Sequence, residues 1–254
     1  MSLLPRHFFC SLTLLTAGLL SVSTAEAQQM YYPFSDRVPP GYTAEMMARV
    51  RQDDPYYLQP IRIELPSEGT VAIYSANPEP SAVLAAPALA SVNPGHLYRL
   101  RVADMPELPG VELFPSIEIL DRLHPPVGRT QNYPIPIVLT KDDLEAAANG
   151  QLVTRVVYLE EPQLAATQDP LRRDIPISVP QGANALEEAE RLGRPMVIVR
   201  IGGRTPTAMH TPISFFGTGG AVDLGKSVPV NAGVARLSNR PRQQAAGVVQ
   251  RTQN

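Results

Sequence analysis

Apolar and polar residues alternate through much of the middle of the chain. In IRIEL, Ile61, Ile63 and Leu65 share one side and Arg62 and Glu64 the other, and residues 70–75 resume the pattern after a Pro-Ser-Glu-Gly turn. A period of two belongs to half-buried strands, so these two segments predict a hairpin. Residues 77–95 are apolar but broken by prolines, and read as a connector. Residues 96–103 set Tyr98, Leu100 and Val102 against Arg99 and Arg101. Residues 111–123 set Val111, Leu113, Ile117 and Ile119 against Glu112, Ser116, Glu118 and Arg122. Paired antiparallel through the PELPG connection, the two would bring Arg99 and Arg101 across from Glu112 or Glu118 on a wet face. Such a match contributes about 0.2–1 kcal/mol per pair.

The period changes twice. Thr140 followed by Asp143 is a capping box, and Gly150 stops the short helix it opens. Asn184 caps a second helix that ends at Gly193, before an apolar strand over 196–201. Each helix follows an Ile-Pro-Ile and precedes a strand, a skeleton that hints at duplication. About eight short strands over 61–201 with two short inserted helices predict a mainly β fold, an antiparallel immunoglobulin-like β-sandwich. The alternative is an α+β fold in which the two strand-helix-strand units form a sheet of their own.

The ends differ from this middle. MSLLPRHFFCSLTLLTAGLLSVSTAEAQQ has a basic n-region, an apolar run and Ala-Glu-Ala, the three parts of a signal peptide, so residues 1–27 are expected to be removed after Ala27. The apolar run is shorter than the roughly 20 residues of a spanning helix. The sole cysteine, Cys10, lies inside it, which leaves a mature chain without thiols. Disulfide scaffolds and thiol enzymes are thereby excluded, and the core must carry the fold alone. Residues 28–60 form an aromatic, proline-punctuated arm with one short helix, capped by Thr43 and ended before Asp54-Pro55.

Charge separates along the chain. Residues 28–203 hold 15 Lys and Arg against 22 Asp and Glu, while residues 204–254 hold six against one. The globular domain is therefore set at 61–203, and 204–254 is read as a basic, disordered tail whose only apolar cluster is Ile213-Ser214-Phe215-Phe216. Sparse arginines without interleaved aromatics argue against nucleic-acid binding. Weak contact with anionic lipid or an envelope polymer fits them better.

Candidate chemistry is thin. Gly220 to Ser227 satisfies G-x-x-x-x-G-K-[ST], yet Val228-Pro229-Val230 follows where a phosphate-cradling helix should begin, and the match is rejected. His96, His124 and His210 are too scattered for zinc. Asp104, Glu107 and Asp121 have the oxygen donors of a hard ion but no ligand spacing, so no metal site and no cofactor is assigned. The best catalytic reading is a carboxylate-dependent hydrolase: Asp121 falls on the apolar face of its strand, where burial would keep it protonated, with Glu107 as partner and His124 nearby.

At YRLRVADMPELPGVELFPSIEILDRLHPP, GQLVTRVVYLEEP and ERLGRPMVIVRIGGR the chain resembles uncharacterised exported proteins of planctomycete-type bacteria. The resemblance spans residues 95–204. It implies an exported, compact domain and no activity or catalytic residue. The preferred expectation is thus a non-catalytic binding or structural module of the cell envelope, periplasmic or secreted, whose partner is a protein or envelope polymer met through the aromatic arm or a strand edge. The hydrolase and a peripheral membrane accessory held by the basic tail are the rivals.

Overall fold

The computed structural model describes residues 35–253 except 53, 164–175, 181, 208–209 and 225–245. Residues 1–27, expected to be a signal peptide, and Tyr31, Tyr32, Phe34 and Lys226 lie outside them. In chain order the described elements are α1 (Tyr42–Arg51), β1 (Gln59–Glu64), β2 (Thr70–Tyr74), β3 (Ala82–Ala85), β4 (Ala88–Val92), β5 (Leu97–Ala103), β6 (Ser116–Ile119) and β7 (Ile135–Val138). These are followed by α2 (Lys141–Ala148), β8 (Leu152–Glu160), β9 (Ile177–Ser178), α3 (Ala185–Leu192), β10 (Gly193–Ile201), β11 (Val222–Asp223) and β12 (Ala246–Gln253). Thr130–Asn132 and Ile213–Phe216 are 3-10 turns.

The fold is mainly β, with two open sheets. One runs β11-β4-β1-β7 and the other β3-β2-β5-β6-β10-β8-β12-β9. All pairs are antiparallel except β1 with β7 and β9 with β12. Alternation did its work on faces: Ile61, Ile63, Ile135 and Ile137 of the small sheet meet Val71, Ile73, Tyr98, Leu100, Val102, Ile117 and Ile119 of the large one in a single core, which Leu144 of α2 completes. Burying one such aliphatic side chain contributes about 1.5–3 kcal/mol.

Partners are another matter. β1 and β2 are not a hairpin: β1 pairs with β4 and β7, β2 with β3 and β5. Leu65 to Gly69 carry the chain from one sheet to the other, so that two apolar faces can meet. The connector at 77–95 contains β3 and β4; its prolines fall between the strands and its alanines, Ala82, Ala88 and Ala90, sit in the core. The two strand-helix-strand units do not form their own sheet. β8 and β10 are antiparallel neighbours in the large sheet, whereas β7 belongs to the small one.

The far face of the large sheet is not wet. At one end α1 and α3 cover it, packing Ala44, Ala185, Leu186 and Ala189 on Leu120, Val156, Tyr158, Ile198 and Val249. At the other end Phe215 and Phe216 of the second 3-10 turn pack with Phe114, Ala72 and Tyr74. Ser116 and Glu118, expected to face solvent, are consequently buried. Nor is 204–254 uniformly a tail: β12 lies between β8 and β9, and β11 pairs with β4. Its polar composition concealed this, because β12 needs only Val248 and Val249 for the two apolar layers on either side of it.

Candidate functional site

Asp121 follows β6 and is buried, but it is not a lone acid. Its Oδ1 lies 2.6 Å from Arg51 Nη1 and accepts from the Arg122 amide at 2.7 Å, and its Oδ2 lies 3.2 Å from Arg194 Nε. Both oxygens are engaged, and together they fasten the end of α1 to the start of β10. Glu107 lies elsewhere. In the β5–β6 register Leu97 faces Glu118 and Val102 stands opposite Leu113, so Glu107 follows one end of the pair and Asp121 the other. At about 3.3 Å per residue, the run from Leu113 to Asp121 alone covers roughly 26 Å. The Glu107 carboxyl is held below the ordinary carboxylate range, first by a hydrogen bond from the Ser67 hydroxyl, which is the opposite of what a general acid needs. His124 is exposed on the segment after Asp121. The structure does not gather the three around a substrate.

The oxygen donors for a hard ion are equally dispersed. Asp104, at φ +58°, lines a shallow hollow with Glu68, Gly69 and Thr70. Among the described residues no three His, Cys, Asp or Glu side chains converge on one point. The glycine that opens the P-loop-like match has a packing role. A Cβ on Gly220 would overlap the Tyr98 hydroxyl, which accepts from the Asn93 amide at 2.9 Å and donates to the Ala221 carbonyl at 2.9 Å. Val222 and Asp223 then form β11; residues 225–227 lie outside the described ones.

What the sequence reading missed is a set of buried arginine-carboxylate pairs, each seated at a helix N-terminus. Thr43 was to cap α1, but the N-cap is Gly41 at φ +93°, with no side-chain cap. The Ala44 amide instead donates at 2.8 Å to Oε1 of Glu118, whose Oε2 lies 2.7 Å from Arg200 Nη1. At α3 the Ala185 amide donates at 3.1 Å to Oδ2 of Asp36, whose Oδ1 lies 2.9 Å from Arg251 Nη1. At α2 the expected capping box is present, and its Asp143 also meets Arg155 at 2.8 Å and Gln250 at 2.8 Å. Burial pulls the Arg155 pKa down and Asp143 opposes the pull. A carboxylate at each N-terminus is favoured by the exposed amides and the helix dipole.

Register explains why these arginines cluster. Arg200 pairs with Thr154, which also pairs with Arg251, giving one row on the far face of the large sheet. Arg155 sits one residue on and points to the other face, toward α2. A cation inside an apolar run, as in LVTRVVYL, VIVRIGG and GVVQRT, was the available sign that a buried partner must exist.

Arg99 breaks the rule. It lies on β5, opposite Tyr74 and Ser116, and its guanidinium carbon is 4.2 Å from the centroid of the Phe215 ring. Nε donates to the Phe215 carbonyl at 2.8 Å and Nη1 to the Phe114 carbonyl at 2.9 Å. Arg204 lies over the same ring at 5.5 Å. Burial first, then the nearby Arg204 and Arg200, push Arg99 down to about 10.

Comparison with protein-family models, curated proteins and solved structures returned no match.

Chemically, then, the buried carboxylates among the described residues, Asp36, Glu118, Asp121 and Asp143, all face arginine. They hold helices and strand ends in place. A cationic concentration remains where Arg99 and Arg204 lie over the buried Phe215 ring. Among the described strands, those ending the sheets carry little free backbone. Pro136 interrupts β7, Pro176 precedes β9 and Pro180 follows two residues after it, β11 has two residues, and β3 runs between Pro80 and Pro87. Proline and shortness both discourage strand addition.

Proposed function

We propose that this chain is an exported, non-catalytic binding or structural module of the cell envelope, periplasmic or secreted. It is a mainly antiparallel β-sandwich of immunoglobulin-like kind, with the parallel pairs β1–β7 and β9–β12, related to the exported planctomycete-type proteins it resembles. The observation that carries the reading is the engagement by arginines of Asp36, Glu118, Asp121 and Asp143, the buried acids among the described residues. The contact surface is the cationic patch of Arg99 and Arg204 over the buried Phe215 ring rather than a strand edge, because the edges are short and proline-guarded. Its partner is a protein or an envelope polymer. The hydrolase reading loses support from the opposite ends that Asp121 and Glu107 occupy. The lipid-accessory reading loses one tail cation, Arg251, to an internal pair.

The test is expression with the native leader, followed by fractionation and N-terminal sequencing. A mature chain beginning at Gln28 and recovered from periplasm, envelope or medium is expected. A full-length chain kept in the cytosol would overturn the location. Turnover of an envelope glycan or peptide that the double variant Glu107→Gln, Asp121→Asn abolishes, while its fold persists, would overturn the non-catalytic reading.

A further inference from the structure

Buried and half-buried arginines of this fold are matched with carboxylates in case after case. Arg51 and Arg194 share Asp121, Arg101 meets Glu112, Arg155 meets Asp143, Arg200 meets Glu118 and Arg251 meets Asp36. Arg99 is half-buried, yet its contacts are two backbone carbonyls and an aromatic face. Carbonyls orient a guanidinium without neutralising it. Two of its five N–H groups are used, and the others remain available. The next cation, Arg204, is exposed and lies over the same ring, with no carboxylate at ion-pair distance among the described residues. Two like charges gathered at one aromatic ring repel each other, and a shared anion is what relieves the repulsion.

The surroundings fit such a ligand. Arg99 is held in place, since its guanidinium lies over the Phe215 ring and Nε and Nη1 are tied to backbone carbonyls. A planar guanidinium held in place binds a carboxylate or phosphate through parallel N–H bonds, and exposed Arg204 adds a second fork. Arg200 contributes no free charge, being paired with Glu118.

We propose that Arg99 and Arg204, both over the Phe215 ring, form a binding site for an oxyanion, the carboxylate or phosphate group of an acidic ligand. The inference rests on the binding-module reading and names its ligand class.

The experiment is titration of the mature full-length chain at low ionic strength with inorganic phosphate in one arm and acetate in the other. It is read by calorimetry and by the Arg99 Nε–H resonance. Saturable binding in at least one arm is expected, and the arm that binds tells phosphate from carboxylate. Arg204→Gln is expected to weaken it at least fivefold with the melting temperature unchanged, while Arg129→Gln, an exposed cation far from Phe215 in sequence, leaves it unchanged. Absence of saturable binding in both arms, or binding that Arg204→Gln does not weaken, overturns the site. Either result leaves the mature N-terminus and location of the chain untouched, so the two readings fail separately.

Discussion

The far face of the large sheet presents two regions that handle buried arginine in opposite ways. Under α1 and α3, Arg200 and Arg251 each meet a carboxylate whose second oxygen accepts a helix amide, so cation, anion and helix terminus satisfy one another. Under the Phe215 turn, Arg99 has carbonyls and a ring but no anion of its own. Removing two charges from water costs several kcal/mol per ion unless each finds its counterpart. The first region meets that cost internally and is a fastening. The second leaves it unmet, and that is what marks it as a surface for something else.

The largest effect should come from converting the matched region into an unmatched one. Glu118→Gln strands the Arg200 guanidinium and removes the anion at the N-terminus of α1; a loss of about 3–5 kcal/mol is expected in urea unfolding. The double change Glu118→Leu, Arg200→Met should recover most of it, because no charge is then left without its partner. If the double variant is no better than the single, the comparison is wrong about the role of charge. On the other face, Thr140→Ala removes a cap that both Asp143 and Arg155 touch, and about 1 kcal/mol should be lost.

A smaller effect belongs to the margin of the unmatched region. His96 is half-buried beside Thr218, and burial lowers its pKa below the ordinary 6.5, partly opposed by the Thr218 contact and by Glu45. The unfolded chain therefore binds the proton more readily than the folded one. Stability from this group is full above about 6.5 and is lost as pH falls below it. Melting temperatures between pH 7 and pH 5 should fall less steeply in His96→Gln than in the parent. The smallest change is expected from Arg204→Gln in the absence of ligand. It removes an exposed cation that repels Arg99, so stability should move by less than about 0.5 kcal/mol, and upward. A clear loss would mean that Arg204 is held by the fold and is not waiting for a ligand.

Much of this was legible residue by residue. The core face of β1, β5 and β6 follows from alternation, as do the helix starts at Thr140 and Asn184, whose caps are local bonds to the next turn. The Arg101–Glu112 match follows from strand order alone, at 3.2 Å. Other features were not legible. Glu118 reads as solvent-facing in its own strand because nothing nearby reveals that α1, 74 residues away at Ala44, will cover it. Arg251 reads as part of a polar tail because its partner, Asp36, is 215 residues away. The candidate site shows the same division: Phe215 stood out as an apolar cluster and Arg99 as a strand residue, but their stacking depends on a connection more than a hundred residues long.

The sequence by itself determined which side of each strand is apolar, where two helices begin, and that a chain with one cysteine cannot close a disulfide within itself and must rely on its core. Periodicity and capping decide such things within a few residues, over distances that the backbone makes rigid. Only the tertiary structure decided which strands pair, which acids are spent on arginines and that Arg99 and Arg204 meet no carboxylate among the described residues. Those outcomes depend on desolvation, and whether a charge is desolvated is set by elements that arrive from far along the chain.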